Sequence, residues 1–291
     1  MNTEGLSLNT SSYRVGPAAY SRRAAFTSLG AVLYAAGAYA TSYIVSPWGM
    51  GQLRPAVIIP SLFSIIFGPW VGGVSAAIGT LIADSAKHGT LYLPSLVAAV
   101  PANLVAFYVF GKLLEGRFNW GRFIVASIIA LLLGNSLCAV LYTSYKAAIG
   151  AIPGQLVPGL SLGLTLWWFS TMIPFQLLAL PPLLRALVKA IPSLAPLDVR
   201  EECLSSELPK RELVLALASP GAIMLAIGLG VYASQHVAWL FVGALNPGLR
   251  EIVRMLIATI FSATGSILVA GSLILIKLGG KTGVNAAYPH S

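Results

Sequence analysis

The chain has 291 residues, of which 57% are hydrophobic and only 9% charged, with a mean hydropathy of +0.82. A soluble domain carries about 25% charged residues, so the composition excludes that class and reads as a polytopic membrane protein. The formal charge of +9 comes from basic residues spread over the flanks of apolar segments, not from one basic patch, and it calls for no nucleic-acid partner.

Residues 1 to 21 are polar and irregular, and the first apolar run begins only at Ala24. A secretory leader would need a basic start followed at once by an apolar core, so the first helix is expected to be retained. A hydrocarbon core of about 30 Å needs about 20 apolar helical residues. On that rule the expected spans are residues 24 to 45, 55 to 67, 70 to 86, 91 to 113, 122 to 146, 159 to 189, 212 to 234 and 252 to 277. The fold class is all-α: a six-span core over residues 22 to 191 with short, broken second and third helices, then a two-span C-terminal hairpin over 212 to 278. A polar cytoplasmic N-terminus (1 to 21), a cytoplasmic linker (192 to 211) and a cytoplasmic tail (279 to 291) complete the division.

The first span carries Ala31 and Ala35 four residues apart, with Ala36, Gly37 and Ala40 nearby. Small residues at this spacing let membrane helices approach closely, either a partner helix or a neighbour within the chain. The stretch from Gln52 to Asp84 is the most informative of all. Thirteen residues from Pro55 to Phe67 reach only about 20 Å as a helix, and they meet the next segment at Phe67-Gly68-Pro69. Charge placement decides whether that point is a turn or a kink. With two crossings and the N-terminus inside, 13 of the 18 basic residues fall inside; with one crossing, only 7 do. The positive-inside rule favours the turn, eight crossings and both termini in the cytoplasm.

Polar groups inside a membrane are costly and tend to face a cavity or a partner. Asp84, at the outer end of the third span and followed by Lys87 and His88, offers a site for a substrate cation or amine, or a partner for Arg54. Asn103 lies near the middle of the fourth span. On the fifth, Asn135, Ala139, Tyr142 and Lys146 share one helical stripe, which presents an amide, a phenol and an ammonium suited to a flat heterocycle with polar edges. The alternatives are that Asn135 joins two helices and that Lys146 snorkels. Trp168, deeper in the sixth span than an interfacial belt requires, suits stacking on an aromatic ligand or core packing. Arg54 and Lys146 are candidates for an anionic ligand group.

The linker holds four of the nine acidic residues and three prolines, and the loop HVAWLFVGALNPGLRE between the last two spans is apolar enough to lie in the membrane interface. Neither GxxxxGK[ST] nor HExxH occurs, and His88 and His236 are several spans apart, so no ATPase or enzyme chemistry is expected. Cys138 in an apolar run and Cys203 in the linker form no disulfide framework or zinc motif. No cofactor or metal is expected.

The short six-span core, FGPWVGGVSAAIGTLIAD ending in an acidic residue, and the AxxxA of the first span together resemble the substrate-binding S component of an energy-coupling factor (ECF) vitamin transporter, over about residues 20 to 190. The resemblance implies a six-helix subunit that binds a vitamin-like micronutrient from outside for ATP-driven uptake. It implies a separate membrane coupling subunit, docked through Ala31 and Ala35, and two ATPase subunits. The loop SPWGMGQLR would gate a pocket formed mainly by the outer halves of the fourth to sixth spans. The last hundred residues depart from the usual S component. This leaves a second reading, a membrane-embedded sensor or assembly subunit acting through its linker and C-terminal hairpin.

Overall fold

The computed structural model describes residues 17–280 except Ala244. Most of the expected N-terminal segment and tail, with Arg14 and Lys281, therefore lies outside the described residues. The described chain is a helical bundle. Its helices are α1 (Pro17–Ala40), α2 (Ile58–Phe67), α3 (Pro69–His88), α4 (Val100–Leu114), α5 (Trp120–Ala148), α6 (Val157–Pro174), α7 (Leu180–Ala190), α8 (Leu197–Ser205), α9 (Lys210–Ala233), α10 (Gln235–Val242) and α11 (Pro247–Gly280). Five helical stretches are long and apolar enough to cross a membrane alone: Ser95–Leu114, Trp120–Ala148, Gly154–Ala190, Lys210–Ala233 and Pro247–Lys277.

The Gly68-Pro69 junction is a turn. Gly68 has φ 96°, a backbone that an L side chain resists, and Pro69 opens α3 with the φ that a first helical turn wants. Gly72 then lies against Ser64, and a Cβ on Gly111 would come within 2.8 Å of Pro69. The chain therefore doubles back, which brings Arg54 at the start of the hairpin beside Asp84 near its end.

The helix α1 stops at Ala40, short of the expected residue 45. The Thr41 hydroxyl donates to Leu53 O at 2.8 Å, Leu53 N donates to Ile44 O at 2.8 Å, and Val45 pairs with Gln52 in an antiparallel bridge. Residues 41–54 are thus a small hairpin loop. Ala31 and Ala35, expected to form a partner-facing surface, are instead buried at 2% and 6% exposure, which corrects that expectation. α1 packs extensively on α3, and a Cβ on Gly79 would sit 2.7 Å from Ala31 O. The close approach that small residues allow is used within the chain. The exposed face of α1 carries Leu29, Val32, Ala36 and Ala40.

Proline shapes the later helices. Pro101 and Pro174 lack an N–H for the preceding turn, and wide π turns occur just before and just after them, at Ser95–Ala99 and Phe175–Ala179. The linker is ordered by α8. Asp198 Oδ2 accepts from Phe118 N at 2.8 Å and Glu202 Oε1 from Trp120 N at 3.1 Å, while Arg185 donates to Ser206 O at 2.6 Å. Acidic side chains at the start of α5 also suit its dipole. The apolar loop after α9 forms α10, and α9 and α11 pack together through Gly221, Gly228 and Gly265.

Candidate functional site

The C-terminal parts of α1, α3 and α5, the turn before α2, the leading half of α4 and the later part of α6 meet at the end of the bundle capped by the hairpin loop. Between them lies a partly enclosed cavity that opens at the loop-capped end. The loop supplies Val45, Gly49, Met50, Gly51 and Gln52, and α5 supplies Asn135, Cys138 and Tyr142.

Of the residues singled out in the sequence, Arg54, Asp84, Asn103, Asn135, Tyr142 and Trp168 all line this cavity. Lys146 does not. It stands one turn beyond Tyr142, with its ammonium 5.7 Å from the Tyr142 ring centroid. Asp84 is paired with Arg54, both nearly inaccessible, and a second Arg54 contact runs to Gln52 Oε1 at 2.8 Å. Since guanidinium stays charged at any physiological pH, burial demands such a partner. Asn103 donates to Ala99 O at 2.8 Å, inside the widened turn that opens the fourth span.

Trp168 holds the loop down. Its Nε1 donates to Gln52 O at 3.0 Å, and a Cβ on Gly51 would come within 2.8 Å of its ring. Gly51 has φ 76°, so both backbone and space require glycine there. Lys87 Nζ, on the same side, donates to Ser42 O at 2.6 Å. Burial lowers the Lys87 pKa below the usual lysine value, and the nearby Asp84 charge opposes that shift. His88 stacks on Tyr92 at 3.7 Å and 5°, and Tyr92 reaches the Tyr142 hydroxyl at 3.4 Å.

Three polar groups in the cavity wall have no hydrogen-bond partner among the described residues: Arg54 Nη1, Asn135 Nδ2 and Ser95 Oγ. All three side chains are more than nine-tenths buried, at 8%, 7% and 2% exposure. An unpaired buried polar group costs about 1–3 kcal/mol, and native structures hold few. The three residues line the same cavity. Sequence reasoning missed Ser95 in this set. Its signal is slight, a hydroxyl just after Pro94 at the start of an apolar run.

The family comparison covers the same stretch of chain that lines the cavity. The model of the ECF-type riboflavin transporter, S component, matches residues 21–179. The chain belongs to this family. It is thus a membrane substrate-binding subunit of a vitamin transporter family, not of an enzyme family, and the match covers α1 to the π turn after α6. Neither the curated proteins nor the solved structures contain a match to the chain.

Proposed function

We propose that this S component captures a riboflavin-type flat heterocycle in the loop-capped cavity and passes it on with a membrane coupling subunit and two ATPase subunits. The convergence of Arg54 Nη1, Asn135 Nδ2 and Ser95 Oγ on one cavity is the observation that carries the reading. Carbonyl oxygens and ring nitrogens on the edge of a flavin ring accept hydrogen bonds, and an amide N–H, a guanidinium N–H and a hydroxyl can donate them. Tyr142, Tyr92 and Trp168 supply aromatic and apolar wall around the ring. Asp84 keeps Arg54 ordered and aimed, and Asn103 shapes the widened turn next to Ser95.

In this reading both termini are cytoplasmic and the cavity opens outward. The excess of basic residues at the opposite end of the bundle supports that orientation. The exposed α1 row of Val32, Ala36 and Ala40 is the face we assign to the coupling subunit, in place of the buried Ala31 and Ala35.

Titration of riboflavin into the detergent-solubilised protein, with flavin fluorescence as the readout, tests the reading. Saturable quenching that Asn135→Leu weakens is expected, because stacking among aromatic side chains quenches the ring. Unchanged flavin fluorescence with folded protein would overturn the substrate. Mass spectrometry of small molecules released from gently purified protein would then name the replacement.

A further inference from the structure

The C-terminal hairpin α9–α11 lies beyond the stretch that the family model matches, yet it touches the loop that caps the cavity. Trp48, near the tip of that loop, passes over α6 at Gly163, where a side chain would run into its ring. The indole then meets Phe261 of α11 edge to face, with centroids 5.9 Å apart and an interplanar angle of 89°. Phe261 is fully buried. The hairpin is itself fixed to the core, since the Leu240 carbonyl of α10 presses on Gly159 at the start of α6.

Most of the rest of the loop is held by the core, while Leu53 at its base borders a groove with Leu217 and Leu268 of the hairpin. Gln52 is bonded to Trp168, Arg54 to Asp84, and Ser42 to Lys87. Among the described residues of the tip, Trp48 reaches the C-terminal hairpin. Gly49 and Gly51, flanking Met50, have φ of 70° and 76°, and the residues from Gly49 to Gln52 form part of the cavity wall. A movement of Trp48 therefore moves the wall directly.

We infer that Phe261 is a positioning residue for substrate access: through Trp48 it biases the cap loop toward its closed position, making the C-terminal hairpin a built-in latch on the binding site. An edge-to-face aromatic pair adds about 0.5–1.5 kcal/mol beyond its buried area, equivalent to about 2- to 13-fold in the closed-to-open ratio. Phe261 does not line the cavity and acts only by way of the loop.

The test uses Cys138, which lines the cavity, in a full-length Cys203→Ser background that leaves it as the one thiol of the chain. The rate of modification by a small, charged methanethiosulfonate is read by mass spectrometry without ligand. Phe261→Ala is expected to raise the rate about 2- to 13-fold, Phe261→Leu by less, and Trp48→Ala as much as Phe261→Ala. The double variant should be no faster than Trp48→Ala alone, because the Phe261 contact is already lost there. Leu213→Ala, a buried position at the opposite end of α9 from the loop, controls for general loosening of the hairpin. Its melting temperature should fall with the Cys138 rate unchanged. A wild-type rate in Phe261→Ala, or equal acceleration by Leu213→Ala, would overturn the latch. The readout needs no substrate, so its failure is separate from failure of the flavin titration.

Discussion

Removal of Asp84 tests whether the Arg54–Asp84 pair is structural before it is functional. In Asp84→Ala the guanidinium stays charged, keeps a side chain that is only 9% exposed, and retains Gln52 Oε1 at 2.8 Å as its side-chain acceptor. Breaking a buried pair from one side costs about 3–5 kcal/mol. At about 2–4 °C per kcal/mol for a domain of this size, the melting temperature should fall by on the order of 10 °C. Asp84→Asn keeps an acceptor oxygen and loses only the charge, so its loss should be about half as large. The combination Arg54→Met with Asp84→Leu replaces both charges by apolar groups, and should melt near the wild type, since such swaps are often neutral. It should nevertheless lose ligand binding, because Arg54 Nη1 is gone. Melting is followed by circular dichroism in one detergent at one scan rate, as unfolding of such proteins is commonly irreversible. An Asp84→Ala melting point within a degree or two of wild type would refute the reasoning, as would a double variant that loses the sum of the two single changes.

Asn135→Leu and Ser95→Ala each remove an unpaired buried polar group, so the ligand-free protein should melt at or above the wild-type temperature while affinity falls about 5- to 100-fold; thermal scans with and without ligand check both signs. Ala36→Trp should leave ligand binding intact and block transport in vesicles that contain the coupling and ATPase subunits. Ala31→Trp overfills a 2%-exposed position and should instead lower stability and yield. The Cys203 thiol is pushed up to about 11, mainly by burial and against the opposing pull of Arg185. Its ionisation is deferred in the folded state, so between about 9 and 11 the unfolded chain releases this proton more readily than the folded one, and the folded protein should lose stability as pH rises from about 9 through 11. At pH 8, iodoacetamide should modify Cys203 at least tenfold more slowly in the folded than in the denatured chain, which mass spectrometry reads directly.

The parts of the fold that were legible in the sequence are those written in local pattern. The turn at Gly68-Pro69 follows from two short apolar runs and a charge distribution, and the inward stripe of Asn135, Ala139 and Tyr142 from helical period alone. Lys146 shares that period but lies past the cavity, because a stripe fixes direction around a helix and not how far along it a neighbour extends. On α1 the spacing of small residues is satisfied twice, by Ala31 with Ala35 and by Ala36 with Ala40, on different faces. Only the packing of α3 at Gly79 decides which face is buried. α8 was hidden because its residues bind the ends of α4 and α5, a long-range arrangement that a charged, proline-bounded segment does not announce. The contact of Trp48 with Phe261 joins residues at opposite ends of the sequence and leaves no local trace.

The cavity divides its polar groups into two sets with different energetic roles. Arg54 and Asp84, Trp168 and Gln52, and Lys87 and Ser42 are satisfied by one another, and they hold the loop and the guanidinium in place without ligand. Arg54 Nη1, Asn135 Nδ2 and Ser95 Oγ have no partner among the described residues, and leaving such a group unpaired when a ligand closes over it costs about 1–3 kcal/mol. A ligand that meets all three avoids that cost on binding, whereas one that fills the same volume without the matching acceptors incurs it. Discrimination should therefore follow hydrogen-bonding edges more than size. Among flavin analogues, replacing one ring carbonyl that faces these groups should weaken binding about 5- to 100-fold, while an added methyl group on the apolar edge should change it by no more than tenfold. Competition titrations with both kinds of analogue separate the two effects, and equal losses for both would mean that fit to the cavity walls, not these three groups, selects the substrate.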